Sequence, residues 1–432
     1  MASKILAASF SCFLAIGWAA ESRSDDFVRL TGKHIKLTTD IDDADFRADL
    51  IAAFDAAVPQ WAAFWQLPEN ALDNFQVDAC VMRDKQKFAL EGLIPNSVPN
   101  FPFGFALKNR LWVVAQDSAY YTRHLLLHEG VHALAYERFG GTGPSWFMEG
   151  TAELLSVHSG AGQSTRINRI PPDRDSVPYW GRFKVMSQSR DAATIPTLAS
   201  VLGYPRDLQS DVESYGWSWA ASMMLHAYPD TQKAFLAAAN NGTRSDPIFN
   251  SDLRRSLQSQ WPVVTARWRL MCHDLDYGFD WDRERVLLSM EDQQWDGADL
   301  FITVQADQGW QSIGVRLSPG MKLNVIPTGK STLADEPKPW VSLPAGVTVR
   351  YHAGRPLGQL LACLVPNSVP VDPLGDAENA ATISPLQVAP ITRPSQIPIK
   401  ENCWMLFRVN DAPGELADNQ GGYRLTISNA SK

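Results

Sequence analysis

The stretch HEGVHALAYERFGGTGPSWFMEGTAELL, residues 128 to 155, spaces its two histidines and three of its glutamates as metal chemistry requires. His128 and His132 stand at i and i+4, so on a helix they project from one face, a turn apart, and meet one ion. Glu129 follows the first histidine in an H-E-x-x-H arrangement, which directs its carboxylate to a water rather than to the ion. Zinc that activates water takes three protein ligands and keeps one position open. Glu149 supplies the third ligand. Glu153, a turn further on, accepts the free N–H of a ligand histidine and fixes its tautomer. The reaction this predicts is hydrolysis, with Glu129 taking a proton from water and returning it to the leaving amine.

Two helices must hold these groups. Residues 121 to 139 read as one helix closed by Gly140 and Gly141, and Pro144 with Ser145 opens a second, WFMEGTAELL. Gly150 and Ala152 are small enough to let the second helix pack closely on the first. Leu125, Leu126, Leu127, Val131 and Leu134 surround the histidines, which sets the charged groups in or beside a core, where unpaired charge is costly. His124, one turn before His128, reads as a surface or hydrogen-bonding residue and stays outside the ligand set.

Upstream, HIKLTTD and FQVDACVM alternate as half-buried strands do, and ADFRADLIAAFDAAVPQWAAFW has helical spacing. LWVVAQD, residues 111 to 117, reads as a further strand and as the edge along which an extended substrate pairs. From 119 to about 282 the pattern is mostly helical, with WSWAASMMLHAYPDTQKAFLAAANN a clear helical segment. After 295 it becomes short alternating strands with turn residues between them, an all-β sandwich interrupted by a proline-rich excursion over 365 to 398. The expected organisation is therefore α+β: a unit over 21–290, α+β to about 118 and mainly helical after, then a β-sandwich over 296–432. A chain of 432 residues fits more than one core.

The composition bounds the partners. A net charge of −8 argues against a general nucleic-acid binder and offers no basic tail for an anionic membrane. Residues 1–20, MASKILAASFSCFLAIGWAA, read as a secretory signal peptide, which predicts a secreted or periplasmic protein with no stable membrane span after its removal; the alternative is anchoring by an uncleaved N-terminal helix. Beyond Cys12 the cysteines are Cys80, Cys272, Cys363 and Cys403. Cys363 and Cys403 are the favoured disulfide pair, with buried free thiols as the open alternative.

His128, Glu129, His132, Trp146, Glu149, Gly150 and Glu153 together resemble the gluzincin metallopeptidases, whose H-E-x-x-H is followed on a second helix by a ligand glutamate in a W-x-x-E-G-x-A-E run. The resemblance covers roughly residues 27 to 290 and implies a zinc-dependent peptidase acting on a peptide or protein substrate. It also implies a Tyr or His on a later helix that steadies the oxyanion. Tyr215 is the candidate, His226 the reserve, and an ordinary core tyrosine the open alternative.

NDAPGELADNQG, residues 410 to 421, crowds side-chain oxygens into one loop, as a calcium site or a plain polar turn does. With GWQSIGVRLSPGMKLNVIPTG, GQLLACLV and YRLTIS around it, the segment resembles the PA-I galactophilic lectin family. The resemblance implies Ca2+ held by Asp411, the carbonyl of Glu415, Asp418 and Asn419, and through it carbohydrate or glycoprotein binding. Asp418 stands where that family has an asparagine, and SLPAGVTVRYHAGRPLG has no counterpart of its galactose-contacting histidine segment. The expectation is a zinc hydrolase joined to a carbohydrate-binding or docking domain; the alternative is a non-catalytic carbohydrate-binding surface protein with an inactive metallopeptidase domain.

Overall fold

A mixed sheet backs the motif helix. Its strands are β1 (Ser22–Ser24), β2 (Phe27–Thr31), β3 (Ile35–Thr39), β4 (Val77–Met82), β5 (Gly104–Leu107) and β6 (Arg110–Val114), in the spatial order β1-β2-β3-β4-β6-β5. The computed structural model describes residues 22–24, 27–68, 70–206, 211–334, 336, 338–367 and 382–430. The segment 1–20 expected to be a signal peptide, with its Cys12, and part of the proline-rich excursion lie outside them. The strands β3, β4 and β6 are parallel, and β5 folds back antiparallel on β6. Helix α1 (Ala44–Phe64) makes the crossover from β3 to β4, and α2 (Lys85–Leu90) follows β4.

This order corrects one expectation. The segment 111–117 contributes β6, an interior strand with β4 on one side and β5 on the other, so its backbone groups are already paired. The free edge belongs to β5. Nothing in the alternation of an isolated strand tells which neighbour will cover it.

Helix α3 (Ala119–Phe139) begins where the Ser118 side chain accepts the Tyr121 N–H and ends at Gly140, whose φ of 75° terminates it. Helix α4 (Ser145–Ser156) follows directly. Then come α5 (Arg182–Asp191), α6 (Leu198–Leu202), α7 (Val212–Ala227), α8 (Pro229–Ala238), α9 (Asp246–Leu257), α10 (Trp261–Asp274) and α11 (Trp281–Glu284). The expected helical run over 217–241 is split at Pro229, which lacks the N–H to continue α7 and opens α8 instead. Gly150 also differs from expectation. A Cβ there would strike the Ser218 carbonyl and Ser222 Oγ, so its smallness serves the approach of α4 to α7, not to α3.

The C-terminal half is sheet-rich. One sheet orders the strands Leu300–Gln305, Gln420–Asn429, Lys322–Thr332 and Val341–Ser342, with Ser395–Pro398 also on the third; the other orders Val388–Pro390, Leu360–Pro366, Cys403–Val409, Gln311–Leu317 and Gln293–Gln294. Val325, Tyr423 and Leu425 from the first share a core with Leu360, Met405 and Phe407 from the second. Along Cys403–Val409 the alternate residues Trp404 and Leu406 face the other way, onto Val263, Ala266 and Leu270 of α10. That strand is covered on both faces, which explains its unbroken apolar run. The two halves of the protein therefore pack through a common apolar cluster.

Among the described residues the four cysteines, Cys80, Cys272, Cys363 and Cys403, are free. Cys363 and Cys403 sit on neighbouring antiparallel strands, but the register sets Cys363 opposite Leu406 and Cys403 opposite Pro366. The expected pair is three positions out of step, and both thiols are buried.

Candidate metal centre

Three side chains from α3 and α4 converge. His128 Nε2 lies 3.1 Å from Glu149 Oε2 and His132 Nε2 lies 3.7 Å from the same oxygen. One ligand atom from each of His128, His132 and Glu149 falls within 4.8 Å of the others, the mark of a possible metal-binding group. His132 and Glu149 keep about a tenth of their side-chain surface open, at 11% and 12%.

The charges favour a cation. Burial works against a proton on His128, yet the Glu149 and Glu153 carboxylates outweigh it and lift the imidazole to about 10. Burial would raise Glu149, but the two imidazoles hold it down at about 2. Without a metal, His128 and Glu149 thus share a charge-assisted hydrogen bond, and an ion bound there would take the place of that proton. Around the cluster stand three buried carboxylates, Glu129, Glu149 and Glu153, against one permanent cation, Arg182. Two imidazoles and a carboxylate form a donor set suited to zinc.

Glu129 is buried beside the cluster, and desolvation raises its carboxyl above the usual range. Gly104 on β5 lies directly against it: a Cβ at that position would collide with Glu129 Oε1. The free edge of the sheet thus passes immediately alongside the carboxylate.

Glu153 lies behind His128. Its Oε1 lies 3.5 Å from His128 Nδ1 and 3.5 Å from His124 Nε2. Arg182 donates to both carboxylate oxygens, at 2.7 and 3.2 Å, and Trp180 Nε1 donates at 3.0 Å. Burial alone would raise Glu153; Arg182 and His124 overcome it and keep the group well below the ordinary range. His124, His128 and Glu153 form a second close group, but Arg182 and Trp180 already occupy Glu153, so this group supports the first rather than holding an ion of its own. Sequence reasoning missed Trp180, Arg182 and Gly104 and left His124 as a surface or hydrogen-bonding residue. His124 is fully buried. No local motif marks any of the four.

A cleft of about 330 Å³ opens over the cluster, walled by the 99–107 segment on one side and by Arg182, Val212 and Tyr215 on the other. The ring of Tyr215 lies 6.2 Å from that of His128, and the Arg182 guanidinium sits 5.3 Å from its centroid. Burial and the charges of Glu149, Glu153 and Glu129 push its hydroxyl upward, so it stays protonated and able to donate. His226, the reserve, is not at the site: it stacks on Phe64 at 4.2 Å, at the far end of α7.

In the 410–421 loop, Asp411 is buried; it accepts the Ala412 N–H at 2.8 Å and Asn419 Nδ2 at 3.0 Å. Burial pushes its carboxyl up to about 6. Asn419 Oδ1 is buried without a partner. Glu415 pairs with Arg350, and Asp418 is exposed. Among the described residues these carboxylates do not form a group close enough to share an ion.

No known protein family matches the chain, and no curated protein matches it. Among solved structures it has a weak likeness, at 13% identity and a TM-score of 0.21, to the EclA N-terminal domain, a PllA-like lectin, covering 30% of this chain and 95% of that one. Among the described residues no helix is long and apolar enough to cross a membrane.

Proposed function

We propose that the chain is a zinc-dependent hydrolase of peptide bonds, of the gluzincin kind, in which His128, His132 and Glu149 hold the metal. The carrying observation is the convergence of these three donors, with a buried fourth group, Glu129, beside them at the floor of a cleft. Zinc bound there would supply Lewis-acid activation of water and of the substrate carbonyl. The remaining work falls to the chain. Glu129, its carboxyl raised by desolvation, is placed to take a proton from water and pass it to the leaving nitrogen. Tyr215 holds a proton to donate to the developing oxyanion. Strand β5 offers its free edge to an extended peptide, and Gly104 lets that peptide run close to Glu129.

The test is metal analysis of purified protein together with cleavage of a mixed peptide library. Co-purifying zinc and cleavage abolished by Glu129→Gln support the reading. Full zinc occupancy in Glu149→Ala removes it.

For the second half we propose a calcium-dependent carbohydrate-binding or docking role at the 410–421 loop. Its support is the buried Asp411 carboxylate beside the unpartnered Asn419 Oδ1, an arrangement that a cation completes. Melting curves with and without calcium, on wild type and Asp411→Ala, test it. A wild-type melt indifferent to calcium leaves the loop a turn. The non-catalytic alternative would appear as zinc binding without any cleavage.

A further inference from the structure

A second groove, of about 620 Å³, lies on the other side of the segment that supports Glu153. Its floor is apolar, formed by Val177, Trp180 and Phe183, all buried. Its rim carries two tyrosine rings, Tyr179 and Tyr277, and four charged groups of balanced sign: Arg174 and Lys184 against Asp175 and Asp276. Tyr179 is 71% exposed and sits at φ 71°, a left-handed conformation that a bulky L-residue adopts only at a cost. Backbone strain spent to hold an aromatic ring in solvent points to a ligand that uses the ring.

The chemistry of the rim narrows that ligand. Balanced charge does not select an anion or a cation. Donors and acceptors interleaved around the exposed Tyr179 ring, with the half-buried Tyr277 beside it, match a molecule with many hydroxyls and an apolar C–H face. We propose that this groove binds a neutral oligosaccharide, with the sugar face stacked on Tyr179 and its hydroxyls shared among Arg174, Asp175, Lys184 and Asp276.

Two contacts give the groove its context. Trp180 forms part of its floor and also donates to Glu153 Oε2 at 3.0 Å, so one segment serves the groove and the metal cluster. Gly278, next to Tyr277, packs against Gly414 of the 410–421 loop so closely that a Cβ there would strike it. The groove thus lies between the cleft and that loop, where it would dock the glycan of a glycosylated peptide. The docking role rests on the hydrolase reading; the binding itself does not.

Calorimetry of the full chain in zinc-replete, calcium-free buffer tests this, with cellohexaose, maltohexaose, mannohexaose, galactohexaose and chitohexaose as probes. At least one should bind saturably. Tyr179→Asn should weaken that binding by about tenfold or more while the melting temperature holds or rises, because asparagine tolerates the left-handed backbone. Tyr179→Phe should keep binding, since the ring face remains. No binding to any probe, unchanged binding in Tyr179→Asn, or binding confined to sulfated or uronic-acid oligosaccharides added as a control would overturn the proposal. Sugar binding that persists in a chain cleaving no peptide would sink the hydrolase reading alone.

Discussion

Two clusters of buried charge sit in this molecule, and they are built to opposite ends. Around Glu149 and Glu153, nitrogen and oxygen atoms converge with carboxylates in excess, and a cleft opens over them. Where the two halves meet, Arg408 from the strand Cys403–Val409 pairs with Asp274 at the end of α10, 2.6 Å away, and with Glu284 of α11, 3.2 Å away. Trp310 and His273 both hydrogen-bond Asp274. Here the guanidinium has its partners, and all three charged side chains are under a tenth exposed. The first cluster leaves its charge incomplete at an accessible point, which suits ligand chemistry. The second is closed, and its use is to join the halves. Burial and shifted ionisation are common to both, so neither identifies a site; convergence on an accessible point does.

The largest expected effect separates them by chemistry. Glu129→Gln should reduce peptide cleavage by about 10²–10⁴-fold while leaving zinc content and melting temperature near wild type. A comparable loss of cleavage in Arg408→Ala at a temperature where that variant is folded would break the comparison. Arg408→Ala should instead cost about 3–5 kcal/mol of stability by leaving Asp274 and Glu284 unpaired, read by denaturant unfolding with zinc stoichiometry unchanged. For the same reason residues 296 to 432 expressed alone should fold poorly, since Arg408 would lack both partners.

Smaller effects sharpen the contrast. Glu153→Ala should weaken zinc binding by about 10–100-fold in a chelator competition without abolishing it. Unchanged affinity would reduce Glu153 to a structural anchor for Arg182, like Asp274 for Arg408.

The smallest effect is a pH slope. Burial, helped by the like charge of Asp274, outweighs Arg408 and pushes Glu284 up to about 7. Between the ordinary glutamate range and that value the folded protein keeps a proton that the unfolded chain has lost. Stability should therefore fall as pH rises through this window, by on the order of 3 kcal/mol in all. Glu284→Gln should flatten that part of the melting-temperature profile between pH 5 and 8. An identical slope in both proteins would assign the proton elsewhere.

Much of the metal cluster was legible because its logic is local. The i, i+4 spacing of His128 and His132 sets both on one face of any helix, Gly140 marks where that helix stops, and the short glycine-rich turn leaves α4 little choice but to lie against α3. Alternation likewise announced the strands of the second half. What the sequence could not specify were contacts between residues far apart in the chain. Arg182 reaches Glu153 across 29 positions and Arg408 reaches Glu284 across 124, and the type of a residue says nothing of which distant carboxylate it will meet. The edge strand, the face of Gly150, the burial of His124 and the removal of His226 from the cleft followed from the same cause. Periodicity fixes which way a side chain points from its own element, whereas long-range packing decides what stands there.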